Sequence, residues 1–97
     1  MNQKDMVVRI FKALGHPIRY DIVKFLLDEP KCVCKLNENI EFTQSNLSQH
    51  LRILKDAGVL KSEKQGLKII YSITNDEIKN LIKNAETIVD DCIKNIK

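Results

Sequence analysis

The sequence predicts a mainly α-helical domain with one small β-hairpin, and three observations lead there. Apolar residues recur at helical spacing through most of the chain. The pattern switches to period two only once, around Lys64, Gln65 and Gly66. A last amphipathic stretch then continues to the C-terminus. With 97 residues, 43% of them hydrophobic and 30% charged, the chain has the composition of an ordinary globular protein and the length of one domain, 1–97. So short a chain buries only roughly 60 to 70% of the surface it exposes when unfolded, which favours a dimer over a marginal monomer.

The elements follow in order. Met6, Val7, Ile10, Phe11 and Leu14 mark a first helix from Asp5, stopped by Gly15. In HPIRYDIVKFLLDEP a second helix is capped by His16 and has Pro17 in its first turn. Its apolar face is Ile18, Ile22, Phe25 and Leu26, and Pro30 ends it. CVCKLNENI predicts a short third helix whose first turn contains both Cys32 and Cys34. FTQSNLSQHLRILKDAG has clearer ends: Thr43 as N-cap, Phe42 and Leu47 as a hydrophobic staple, and Gly58 as stop. VLKSEKQGLKIIYSI predicts a two-stranded ribbon. Thr74 and Glu77 then form the capping box of a long last helix. Its stripe, Ile78, Leu81, Ile82, Ala85, Ile88, Val89, Cys92, Ile93 and Ile96, needs a partner. A short helix turning tightly into a capped one, followed by a hairpin, is the plan of a winged helix-turn-helix with five helices.

On the fourth helix, at about 100° per residue, Leu47, Leu51 and Leu54 share a narrow arc. Gln44, Ser45, Ser48, Gln49, Arg52 and Lys55 share the opposite side. Gln pairs bidentately with adenine, Ser donates or accepts, and Arg reaches guanine or phosphate. An isolated helix with such a face would be read as a solvated surface. The hairpin's Lys61, Lys64 and Lys68 supply a phosphate-contacting wing beside it, which makes double-stranded operator DNA the expected partner. His50, on the flank of that helix, suits packing or a phosphate contact, and Tyr71 suits packing. The sequence shows no nucleophile with a nearby base, glycine-rich phosphate loop or paired acids, so an enzyme is not expected.

The net charge of +3 is mild. No apolar run approaches the ~18 residues of a membrane span, and Arg9 and Lys12 interrupt the N-terminal apolar stretch, so a cytoplasmic protein without membrane contact is expected. Three cysteines, an odd number, do not make a disulfide framework there. Metal ligands, redox groups and simple packing remain open for them.

The segments FKALGHPIRYDIVKFLL, KCVCKL, TQSNLSQHLRILKDAGVL and GLKIIYSI resemble the ArsR/SmtB family of metal-sensing transcriptional repressors, from about Phe11 to the last helix. The resemblance implies a homodimer joined through its first and last helices, needing no cofactor to bind DNA. Its two reading helices would meet successive major grooves, roughly 34 Å apart. Cys-Val-Cys resembles the ligand site of arsenic- and cadmium-type sensors, which makes arsenite, cadmium or another soft metal ion the candidate inducer. Cys32 and Cys34 would bind it, with Cys92 as the candidate third thiol. Residues two apart on a helix point about 200° apart, so the first turn must unwind or start between the cysteines for them to share an ion. Release would need a coupling of only about 1 to 3 kcal/mol.

The chain also departs from the family's patterns. Asn37 stands where some arsenic repressors have a third thiol, MNQKDMVVRI holds none of the cadmium-type cysteines, and the last helix lacks the histidines of the zinc-type site. Two alternatives follow. One is a redox or persulfide switch that pairs Cys92 with Cys32 or Cys34, as other members link thiols from these regions. The other is a protein-interaction module with inert cysteines, which would show no salt-dependent DNA binding.

Overall fold

The computed structural model describes residues 1–32, 34–36 and 44–95, with Gln44 and Ser45 as backbone only. The described elements are α1 (Gln3–Leu14), α2 (Pro17–Phe25), β1 (Lys31–Cys32), α3 (34–36), α4 (Gln44–Asp56), β2 (Leu60–Gln65), β3 (Lys68–Ile73) and α5 (Asp76–Asn95). The expected cap Thr43, the staple residue Phe42, Asn37 and the stripe residue Ile96 lie outside the described residues.

Local chemistry sets most helix ends. Asn2 Oδ1 accepts the Asp5 N–H at 2.9 Å, so α1 begins two residues earlier than the apolar spacing alone predicts. His16 caps α2 as expected, its Nδ1 accepting the Ile18 N–H at 3.1 Å, with Pro17 in the first helical position. That helix ends at Phe25, short of Pro30. The Lys31 ammonium donates to the Phe25 carbonyl at 2.6 Å and lies 4.4 Å from the Phe25 ring centre, satisfying the helix end from a returning segment. At the end of α4, Gly58 takes φ +87°. Gly58 N–H donates to Lys55 O and Val59 N–H to Leu54 O, both at 3.0 Å, the paired bonds of a Schellman closure.

Two expectations are corrected. Among the described residues the sheet has three strands in the order β1-β3-β2, not two. Lys31 pairs with Tyr71 and Cys32 with Ile70 along the edge of β3. Cys32 is therefore extended, and the third helix starts after it, because its backbone belongs to the sheet. Two residues cannot show a period-two pattern, so the sequence alone does not reveal β1. The second correction concerns α5, whose N-cap is Asn75, its Oδ1 accepting the Ile78 N–H at 3.2 Å. Thr74 Oγ1 is buried without a partner, and the Thr74 N–H donates to Val59 O at 3.0 Å. That bond ties Thr74, just past β3, to Val59, just before β2, and passes the cap to the next residue.

Between β2 and β3, Gln65 pairs with Lys68 across a two-residue turn. Gly66 takes φ +63° at the first central position, as in a type II′ turn. Leu67 at the second is fully exposed.

The core joins Ile22, Val23 and Leu26 of the α2 region to Leu36 of α3, Leu47, Leu51 and Leu54 of α4, Val59 just before β2, and Leu60 and Ile73 of the sheet. Ala13 of α1 and Ile78 and Ile82 of α5 close it. Beyond that core, Tyr20 Oη donates to Glu86 Oε2 at 2.6 Å, and Lys24 Nζ stands 2.7 Å from the same oxygen, clipping α2 to α5. Lys24 first and Tyr20 second hold the Glu86 carboxyl below its ordinary range, while the bond to Glu86 pushes the Tyr20 phenol up. Met6, Val7 and Phe11 of α1, with Ile88, Val89 and Ile93 of α5, stay exposed. No described helix is long and apolar enough to cross a membrane.

Candidate nucleic-acid interface and thiol site

With its three leucines in the core, α4 presents Ser48, Gln49, Arg52 and Lys55 outward, all exposed. Spacings of four and three residues bring Ser48, Arg52 and Lys55 to one edge of the helix. That edge and the hairpin form the walls of a groove of about 760 Å³. Lys68 lines it from the wing, and Cys32 and Cys34 line it from β1 and α3. The helix start between the cysteines lets their side chains converge: Cys34 Sγ donates to Cys32 Sγ at 2.9 Å, and the Cys34 backbone N–H points at the same sulfur from 3.5 Å.

These contacts favour a thiolate at Cys32. The Cys34 S–H bond is the main cause that lowers its pKa, followed by the Cys34 backbone N–H, with Lys68 and Lys35 adding positive field. The register gives the reason for Lys68: Cys32 pairs with Ile70, and Lys68 lies two residues along the same strand face. Cys34 is pushed the other way, first by donating its proton to Cys32 and then by burial.

Not every residue named from the sequence joins this surface. Lys64 is exposed on β2, but Lys61, three positions away, lies on the opposite face of that strand and borders a separate groove with Asp28, Glu29 and Lys79. His50 turns back toward α2. Arg19 Nη1 lies 3.2 Å from its Nδ1, and its ring centre is 4.7 Å from that of His16. Burial, then the neighbouring His16 and Arg19, lower its pKa, so packing is the role its surroundings fit. Tyr71 is half-buried against the core. Gln44 and Ser45 lie in the first turn of α4. Cys92 is exposed on the outer half of α5.

The sequence reading missed Arg19, Asp56 and the wing-tip Leu67. Asp56 lies 3.8 Å from Arg52 and shares the groove with it and Leu67, while Arg19 Nε donates to the Ala13 carbonyl at 2.7 Å. The spacing of Arg52 and Asp56, four apart, was the available signal; Arg19 and Leu67 carried none. Among the described residues no group of three or more His, Cys, Asp and Glu side chains could hold a metal ion. Two touching sulfurs are a soft donor pair that fits a thiophilic ion only if a further ligand is added.

Residues 16–62 match the model of the bacterial regulatory protein arsR family. The chain is 39% identical over 89 residues to an HTH-type transcriptional regulator of Methanocaldococcus jannaschii, covering 91% of this chain and all of that one. To the arsenical resistance operon repressor of Bacillus subtilis it is 41% identical over 73 residues, which are 74% of this chain and 70% of the other. The crystal structure of Rv0081 from M. tuberculosis superposes with a TM-score of 0.83 at 31% identity, covering 94% of this chain and 93% of that one. These relatives are transcriptional regulators rather than enzymes, and the chain, with its buried α4 leucines and its wing, belongs to the ArsR family of winged helix-turn-helix DNA-binding regulators.

Proposed function

We propose that the chain is a dimeric repressor that leaves its operator when a thiophilic metal or metalloid, of arsenite or cadmium type, binds through Cys32 and Cys34. The observation that carries this reading is the 2.9 Å approach of the two sulfurs at the junction of β1 and α3. Such an ion keeps both sulfurs deprotonated when bound. The chain's own residues do the rest. Leu36, in the same short helix as Cys34, is buried in the core beneath α4, and Cys32 is paired to the wing strand at Ile70. A change in the spacing of the sulfurs therefore reaches the support of the reading helix and the wing together. No turn of α3 has to unwind, because the helix already starts between the cysteines.

In the same reading Gln49, Ser48 and the α4 first turn meet bases, while Arg52, Lys55, Lys64 and Lys68 meet phosphates. The exposed apolar faces of α1 and α5 are covered by the second copy. Cys92, on that outer half of α5, is the candidate third sulfur for a three-coordinate ion.

Titration of fully reduced protein with arsenite and then cadmium, without oxygen, tests the site by its sulfur-to-metal ultraviolet band. A band abolished by Cys32→Ser establishes the thiolate site, and its loss in Cys92→Ser assigns the third sulfur to α5. No band with either ion refutes the metal reading.

A further inference from the structure

We propose that Cys32 and Cys34 also form a redox-active dithiol, oxidised to an internal bridge by small disulfides that carry carboxylates. Bonded sulfurs stand about 2.0 Å apart. These two, 2.9 Å apart on segments separated only by Val33, need to close by about 1 Å. Cys92, on the outer half of α5, does not line the groove the pair shares with α4 and the wing.

The preference for an anionic oxidant comes from that groove. Arg52, Lys55 and Lys68 line it, and its acidic lining residue, Asp56, lies 3.8 Å from Arg52. Its volume of about 760 Å³ is in the range that holds a small organic molecule. A cleft lined by an excess of one sign of charge raises the local concentration of the opposite sign and speeds its encounter.

The chemistry balances without a further reagent. One cysteine, as thiolate, attacks a sulfur of the disulfide RSSR. A protein–S–S–R bond forms, the RS–SR bond breaks and RS⁻ leaves. The second cysteine gives up its proton and displaces the remaining RS⁻, forming the Cys32–Cys34 bond. Two electrons pass from the cysteine pair to RSSR, and the two thiol protons end on the two RSH released. A closed bridge leaves neither Cys32 nor Cys34 as a thiolate for a soft ion, so oxidation silences the inducer site. That consequence rests on the function proposed above; the oxidation itself does not.

Reduced, metal-free protein is incubated under argon with glutathione disulfide, which is anionic, or cystamine, which is cationic, and followed by intact mass. The ratio of the two rates is compared with that of the same chain unfolded in urea. The folded protein is expected to favour glutathione disulfide about tenfold more than the unfolded chain does, with the preference shrinking as salt is added and in a Lys55→Glu, Lys68→Glu double variant. Cys92→Ser should end two hydrogens lighter, while Cys32→Ser and Cys34→Ser made in that background should stop at the mixed disulfide. A folded preference no greater than the unfolded one, or a mixed disulfide that persists in Cys92→Ser, overturns the proposal. No metal is present in this measurement, so its failure leaves the metal site standing, and a missing charge-transfer band leaves this dithiol standing.

Discussion

Helices α4 and α5 carry the same kind of apolar stripe and meet different fates. On α4 the stripe is buried from end to end: Leu47, Leu51 and Leu54 are at most 2% exposed. On α5 it is buried only at its start. Ile78 and Ile82 are 7% and 3% exposed, whereas Ile88, Val89 and Ile93 are 64%, 55% and 61% exposed. A stripe states that a face needs covering and is silent on what covers it. The first half of α5 packs against β3 and the core; the second half, beyond the clip of Glu86 to α2, runs past the end of that core. Together with the bare Met6, Val7 and Phe11 of α1 it forms the surface assigned above to a second copy.

The sharpest way to break this comparison uses two positions on one stripe. Ile82→Lys buries an unpaired charge and should cost more than about 4 kcal/mol, unfolding the chain in a circular dichroism melt. Ile88→Lys should leave the fold intact and halve the mass seen by light scattering. An unchanged mass for Ile88→Lys would remove α5 from the interface.

The outer face of α4 gives the next largest effect. Gln49→Ala should cost about 1 to 3 kcal/mol in DNA binding and relax base preference, while Lys64→Ala should weaken all duplexes alike. Equal behaviour of the two variants on operator and random DNA would exchange or erase those roles. A smaller change concerns the start of α5. Asn75→Ala should lose about 1 kcal/mol in urea denaturation, as a lost cap does. Thr74→Val, which removes a hydroxyl without a partner, should lose less; the reverse order would restore the capping box.

The smallest effect is a pH dependence. The pKa of His50 is lowered from 6.5 in the folded chain, so the unfolded chain binds its proton first. The contribution of neutral His50 is present above about pH 6.5 and is lost as pH falls from there toward the lowered folded value. His50→Gln should flatten the fall of melting temperature over that interval.

Much of this was legible in the residues. The caps His16 and Gly58, the buried leucine arc of α4 and the single hairpin all follow from spacing and turn chemistry within a few residues of each other. What escaped was non-local. β1 is two residues long and exists because β3 offers an open edge. The cap of α5 moved from Thr74 to Asn75 because a bond to Val59, fifteen residues upstream, holds Thr74 just past the end of β3. Lys61 and Lys64 look equivalent as basic residues of a wing, yet strand alternation sends them to opposite faces. His50 looks like part of the DNA-facing helix until Arg19 and His16 draw it inward.

The thiols mark the same division. From the sequence alone came their identity, their spacing and the resemblance that made them worth following, because side-chain chemistry and helix periodicity are local properties. That Cys32 is a strand residue and Cys34 a helix residue was decided by the tertiary structure. So was their contact at 2.9 Å in a groove shared with Arg52, Lys55 and Lys68. The physical reason is that a helix would hold those two side chains about 200° apart, and only pairing with a distant strand takes Cys32 out of the helix.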